Sequence, residues 1–342
     1  MRTALSFDDV LLEPQHSEIL SRRGVDVSVD LEKGIKLDIP IIASPMDTVS
    51  GGEMALALID RGGIAVIHRY NTIDEQAEII SLVLRNSDIF PPNVGAAIGV
   101  TGDYLERADV LYSSGINLLC VDVAHGDHAY MQSALESLKS KYNDSVHIMA
   151  GNVATLEGFN NLADWGADSI RVGIGGGSIC STRIQTGHGV PTFQSILDCS
   201  KTDRDVKIIA DGGIKNSGDI VKAIAAGADA VILGSLLAGT DESPGPIVHD
   251  QDGTQYKTYR GMASRNAQMD WRGNSSSPEG IATRIPYKGS VLDVLSDLEG
   301  GIRSGLSYSG VGDLKKLHAS AKFLRQTGAG QKESWTHILG RN

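Results

Sequence analysis

Residues Lys207–Ser235 read KIIADGGIKNSGDIVKAIAAGADAVILGS. An apolar run, a polar glycine turn, a helically spaced segment and a second apolar run follow one another. A continuous apolar run without alternation is a strand buried on both faces. The Gly-Ala-Asp before the second run places a glycine just past the helix, where a left-handed cap belongs. The stretch is therefore one strand-helix-strand unit, whose right-handed crossover requires parallel strands.

The same unit recurs upstream. Apolar runs stand at Ile39–Pro45, Gly62–His68, Asn93–Val100, Asn117–Gly126, Val146–Val153 and Ser169–Gly175. Helically spaced segments such as YMQSALESLKSKY and LEGFNNLADWGAD separate them, and the latter again ends in Gly-Ala-Asp. With the two runs quoted first, the count is eight strands. Eight units over about 250 residues is the size of a (β/α)₈ TIM barrel. A doubly wound sheet is the alternative. The barrel is favoured because polar and glycine residues sit at the C-terminal end of nearly every strand, where barrel sites form.

Residues 1–342 are read as one barrel domain with no linker. HDQDGTQYKTY suggests a hairpin around Asp-Gly. Val291–Arg303 has the spacing of a closing helix. Within a flap region at 259–290, Asp270–Gly280 reads as a mobile polar loop, and the tail at 326–342 as flexible.

The chain has 342 residues, 41% hydrophobic and 21% charged, with a net charge of −11. That is an ordinary soluble composition, and its acidity argues against nucleic acid or a membrane surface as partner. No run approaches the roughly 20 apolar residues of a membrane span, and the N-terminus lacks a secretory pattern. Cys120, Cys180 and Cys199 form neither a disulfide framework nor a metal motif, so a reducing, cytoplasmic setting is expected. His68, His125 and His128 match no zinc spacing.

Gly173–Arg183 reads GIGGGSICSTR and follows the sixth strand. Bare backbone amides there suit a phosphate or a cation. Cys180 on such a loop is either a nucleophile or a packed thiol; Cys120 and Cys199, in apolar or helical context, read as packing. GxGGGS is not a dinucleotide fingerprint, which needs a first strand-helix turn and an acidic residue about 20 positions on. ADGG (Ala210–Gly213) and Gly234–Ser235 end strands seven and eight, where many barrels hold phosphate. Asp211 would repel phosphate but can accept from sugar hydroxyls. Asp122 and Asn152, ending strands four and five, can bond ribose or an amide, or merely cap locally.

Taken together, FDDVLLEP (Phe7–Pro14), SPMDTV (Ser44–Val49), VDVAHG, MAGNV, RVGIGGGSICSTR, the block Ile209–Gly245, YRGMAS, PEG and TGAGQKES resemble the inosine monophosphate dehydrogenase and guanosine monophosphate reductase family. The resemblance covers nearly the whole chain and implies the same barrel. It implies that Cys180 attacks C2 of a purine 5′-monophosphate and that hydride passes between C2 and a nicotinamide. It makes Thr182 a proton-handling hydroxyl and turns Glu279 toward the base. It gives the nucleotide to Ser44, Ser178, Asp211, Gly213, Gly234, Ser235, Tyr259, Gly261 and Met262, and the nicotinamide side to Asp122, Asn152, Arg171 and Gly173. It further implies a homotetramer or larger assembly, with potassium held at Gly175, Gly177 and Cys180 and by Glu333 of a neighbouring copy.

The chain departs from the dehydrogenase pattern in lacking the regulatory insert between strands two and three, an absence some dehydrogenases share. It also lacks the long flap whose Arg-Tyr pair activates water: only residues 265–277 lie between Ser264 and Pro278, with Trp271-Arg272 among them. Reductases have short flaps and need no hydrolytic water. VDVAHG, Glu333-Ser334 and Arg69, where reductases carry Lys, point the other way. The expectation is a GMP reductase using NADPH, with an NAD-dependent IMP dehydrogenase as the alternative. A catalytically dead nucleotide-binding regulator is a remote third reading, since Cys180, Thr182 and Glu279 are all retained.

Overall fold

The structure, a computed structural model, describes residues 1–334. Eight parallel strands close into a barrel: β1 (Ile41–Ala43), β2 (Ile64–Ile67), β3 (Val94–Ile98), β4 (Leu118–Asp122), β5 (His147–Val153), β6 (Ser169–Val172), β7 (Lys207–Asp211) and β8 (Ala230–Leu233). β8 pairs back onto β1, Val231 opposite Ile41 and Leu233 opposite Ala43. All eight apolar runs are barrel strands, and the doubly wound alternative is excluded.

Helices cover the outside in the order of the crossovers: α1 (Gly52–Asp60), α2 (Ile73–Asn86), α3 (Tyr104–Ser113), α4 (Ala129–Tyr142), α5 (Leu156–Asp164), α6 (Thr192–Cys199), α7 (Ser217–Ala225) and α8 (Val291–Tyr308). The closing helix runs five residues beyond its sequence reading because Leu306 continues the buried stripe of Val291, Leu295, Leu298 and Ile302.

The Gly-Ala-Asp turns explain how register is set. Gly166 and Gly227 have φ of 105° and 119°, a conformation glycine adopts without steric cost. The aspartate that follows reaches the preceding strand: Asp168 accepts from the Ile148 amide and Asp229 from the Ile208 amide, each at 2.8 Å. Asn117 does the same for Val94 at 2.9 Å. These bonds satisfy strand-start amides that have no ladder partner.

Inside the barrel, Ile42, Ile64, Val66, Leu118, Met149, Ile209 and Ile232 pack against Leu31, Ile35 and Leu37. Those three belong to a hairpin, Val29–Glu32 with Ile35–Leu37, that plugs the N-terminal end. Cys120 lies in this interior and Cys199 in the outer layer. Burial pushes each thiol up to about 12, so both are packing residues, as their sequence context suggests.

Beyond β8, Val248–His249, Gln255–Arg260 and Ala282–Pro286 form an antiparallel sheet. Its first turn is the expected Asp-Gly hairpin, with Gly253 at φ 83°. Two expectations need correction. Asp270–Gly280 is not loop throughout, because Arg265–Arg272 is a helix capped by Ser264 and ended by left-handed Gly273. The tail is ordered as far as it is described: Phe323–Arg325 pairs with Val10–Leu12, and Gly328–Glu333 is a short helix. The remainder of the tail, 335–342, lies outside the described residues. Among the described residues no helix is long and apolar enough to cross a membrane.

Candidate active site

The C-terminal ends of the strands open into a cavity of about 510 Å³, within the range of small-molecule sites. Eighteen of the residues selected from sequence line it, from Ser44 on β1 to Glu279 on the flap. Glu333 is the exception. It ends the exposed helix Gly328–Glu333, away from the cavity of its own chain.

Cys180 is half-buried, and its thiol donates to Thr182 Oγ1 at 3.2 Å. The cysteine loop is not free. Ser181 donates its amide to the Glu279 carbonyl at 2.9 Å, and Ile281 donates to the Ile179 carbonyl at 3.0 Å. On the other side Glu279 donates to the Ala263 carbonyl, and Gly261 donates to the Ile281 carbonyl, each at 3.0 Å. This short backbone ladder carries Glu279 to the cavity beside Cys180. The Thr182 hydroxyl is engaged by Cys180, and no side-chain bond joins Thr182 to Glu279 among the described residues.

The glycines make room. Gly173 has φ 148°, and a Cβ there would overlap the Asp211 carbonyl oxygen. A Cβ on Gly234 would sit 2.9 Å from the Tyr259 hydroxyl and 3.4 Å from Met46 Sδ. Burial pushes the Tyr259 hydroxyl upward against the lowering effect of Ser178. It stays protonated at neutral pH and can donate to an anion. Gly213, Gly234, Ser235, Ser178 and Tyr259 thus share one wall of small residues and hydroxyls.

The floor is ionic. Arg171 is 5% exposed. Its guanidinium donates to Asp122 Oδ1 at 2.5 Å and twice to Asp211 Oδ2, at 3.0 and 2.8 Å. Asn152 Nδ2 donates to the same Asp211 oxygen at 2.9 Å and to the Gly173 carbonyl at 2.8 Å. Burial works to lower the Arg171 pKa, but the two carboxylates outweigh it and hold the charge firmly. Asp211 Oδ2 is therefore taken, and Oδ1 remains for a sugar hydroxyl. Asp122 and Asn152 are not local caps. Arg171 lies beneath the cavity as a tie between β4, β6 and β7.

Several lining residues were not selected from sequence. Met46 abuts Gly234, Arg69 donates to the Asp122 carbonyl at 3.2 Å and stacks on Tyr70, and Ser6–Asp8 close one side. The IHRY run at the end of β2 carried a signal for Arg69 and Tyr70. Nothing in the spacing tied Asp8 to Lys215, which it meets at 2.6 Å. His68 is held neutral chiefly by burial. No cluster of potential metal-ligating side chains occurs among the described residues.

The model of the IMP dehydrogenase / GMP reductase domain matches residues 4–337. The chain belongs to that family. Inosine-5′-monophosphate dehydrogenases of Nitrosopumilus maritimus and Aquifex aeolicus are 32% and 35% identical, each over 98% of this chain and 98% and 96% of their own length. Those alignments run over 470 and 472 positions, more than this chain has residues, so these relatives carry segments it lacks. A solved GMP reductase from Trypanosoma brucei, a cysteine-to-alanine variant in complex with guanosine 5′-monophosphate, superposes with a TM-score of 0.92 at 31% identity, over 98% of both chains. The family membership makes the chain a purine-nucleotide oxidoreductase of a family that uses nicotinamide dinucleotides.

Proposed function

We propose that the chain is a GMP reductase, converting guanosine monophosphate and NADPH to inosine monophosphate, ammonia and NADP⁺. The observation that carries the reading is the composition of the flap. Between Ser264 and Glu279 the chain forms one short helix, and it gives the cavity no basic side chain. Hydrolysis of a C2 adduct needs a base within hydrogen-bond reach of water. Loss of ammonia needs only a proton route to the leaving nitrogen.

In this reading the Cys180 sulfur adds to C2, and its proton is relayed through the Thr182 hydroxyl toward the leaving 2-amino nitrogen. The C2–N bond then breaks and ammonia leaves, Thr182 and Glu279 delivering its proton. A reduced nicotinamide, when bound, would supply the hydride that C2 takes. Release of the sulfur as thiolate frees inosine monophosphate, and one proton from solvent regenerates the Cys180 thiol. Gly213, Gly234, Ser235, Ser178 and Tyr259 would hold the phosphate, Asp211 Oδ1 the ribose, and Asp122 the nicotinamide side. Ser44, Gly261 and Met262 would flank the base.

The second reading, an NAD-dependent IMP dehydrogenase, is favoured by the names of the curated relatives and by the Glu333-Ser334 tail. Paired assays separate the two. Guanosine monophosphate should consume NADPH, and inosine monophosphate should reduce NAD slowly or not at all; the reverse pattern would install the dehydrogenase. The tail also motivates a tetramer or larger assembly, in which Glu333 of one copy and the carbonyls of Gly175, Gly177 and Cys180 of the next hold potassium; the three unpaired cysteines motivate a cytoplasmic setting. A monomer by light scattering at assay concentration would exclude that assembly.

A further inference from the structure

The wall given to the 5′-phosphate holds no cation. Gly213, Gly234, Ser235, Ser178 and Tyr259 are neutral, and the chain as a whole carries −11. A phosphate dianion brought to such a surface needs positive charge nearby. The loop after β8 carries it on its far side.

Gly234 opens a helical turn, with the Leu237 and Ala238 amides donating to its carbonyl at 3.1 and 2.9 Å. The Ser235 and Leu236 amides, at the start of that turn, donate to nothing among the described residues. Free amides of this kind are anion donors. The carbonyls of the same loop meet ammonium groups. Lys288 Nζ donates to the Ser235 and Leu236 carbonyls at 2.6 and 3.1 Å. Lys257 Nζ donates to the carbonyls of Thr240, Asp241 and Ser243, the first two at 2.9 and 3.2 Å.

Lys257 is 3% exposed. Three acceptors around Nζ call for three N–H bonds, so it is held as the ammonium even though burial pushes its pKa down. The neighbouring carboxylates are committed elsewhere. Asp241 Oδ1 accepts from the Tyr287 hydroxyl at 2.6 Å, and Glu242 accepts from the Ser290 hydroxyl and the Val291 amide at 2.8 and 2.7 Å. Two positive charges therefore rest on one loop, bonded to carbonyls and not to anions. Neither lysine lines the cavity. Lys257 shares the buried face of its strand with Tyr259, whose hydroxyl is the group a Cβ on Gly234 would meet at 2.9 Å.

We propose that Lys257 and Lys288 are the counter-charges of the nucleotide's 5′-phosphate, held outside the cavity and acting through the peptide groups of the Gly234–Ser243 loop. A cation on a carbonyl polarises the peptides joined to it, and the free amides at the start of the turn become stronger donors. The charges also attract the dianion directly, Lys257 from a buried site where screening is weak. Both are positioning residues, since neither touches the nucleotide. This role rests on the phosphate seat of the preceding section and not on the direction of the reaction, because guanosine and inosine monophosphates carry the same phosphate.

The test is equilibrium binding by calorimetry at several salt concentrations. The probes are guanosine monophosphate, inosine monophosphate and guanosine, which lacks the phosphate. Lys288 is exposed, so Lys288→Gln removes a charge without opening the core. It should weaken both monophosphates about tenfold, leave guanosine unchanged, and flatten the fall of monophosphate affinity with salt. Lys288→Arg should restore most of the loss. Lys257→Met, where it folds by circular dichroism, should show the same pattern with a larger loss. A lysine that only shaped the loop would lower affinity without changing its salt dependence. A Lys288→Gln enzyme that keeps its ratio of guanosine monophosphate to guanosine affinity, or keeps its salt dependence, would overturn the role. An unsubstituted enzyme that binds guanosine as tightly as guanosine monophosphate would remove the phosphate seat itself, and the lysines' role with it.

Discussion

At the scale of residues, the account rests on one thiol. Cys180 is the half-buried cysteine of three, and it alone lines the cavity among hydroxyls and bare amides. Cys180→Ala should abolish turnover while guanosine monophosphate still binds with affinity changed only a few-fold, read by calorimetry; a turning-over variant would refute covalent catalysis. A second residue makes a claim about stability. His147 is fully buried, its Nε2 2.8 Å from Ser169 Oγ, and burial lowers its pKa to about 4 from an ordinary 6.5. Below pH 6.5 the unfolded chain binds a proton that the folded chain refuses. His147 therefore costs the fold stability as pH falls from 6.5 toward 4, up to about 3 kcal/mol, and nothing above that window. His147→Asn should be less stable at neutral pH but should lose stability less steeply across the window in urea titrations. Parallel curves for the two proteins would contradict the assignment. Residue types on loops were legible from sequence. The tie of Arg171 to Asp122 and Asp211 was not, because only barrel closure brings β4, β6 and β7 together.

At the scale of elements, glycines set the geometry. Gly173→Ala would force a Cβ into the Asp211 carbonyl at a positive φ. It should destabilise by at least about 2 kcal/mol and cut kcat on the order of a hundredfold through a displaced loop. Gly300→Ala is the contrast: it lies in α8 with nothing within 4 Å of the added methyl. It should stabilise by about 0.5–1 kcal/mol. Thermal melts and kinetics of the pair decide the point, and equal effects would contradict it. The strands were readable because each is a continuous apolar run. The flap helix was not. RNAQMDWR has almost no apolar stripe, and its hold is tertiary: Gln268 donates to the Ala263 carbonyl at 3.0 Å and accepts from the Ser276 amide at 2.9 Å. The plugging hairpin was missed for a related reason, since Leu31, Ile35 and Leu37 find their partners only inside the closed barrel.

At the scale of the whole molecule, the barrel separates two tasks. Its N-terminal end is sealed by the hairpin and packed with aliphatic side chains. Its C-terminal end is a cradle of glycines, hydroxyls and one ionic floor. The flap lies across that end and is tied to the cysteine loop through Glu279–Ile281. Both family reactions can start from such a cradle with the same thiol adduct, and they differ in what leaves or attacks at C2. The most direct measurement follows the nitrogen itself. Guanosine monophosphate labelled at its exocyclic 2-amino nitrogen is incubated with the enzyme and NADPH, and ammonia is collected. One labelled ammonia per NADPH oxidised is the expected result. Unlabelled or absent ammonia, with NAD reduced by inosine monophosphate instead, would contradict the reductase account and return the flap to the task of activating water.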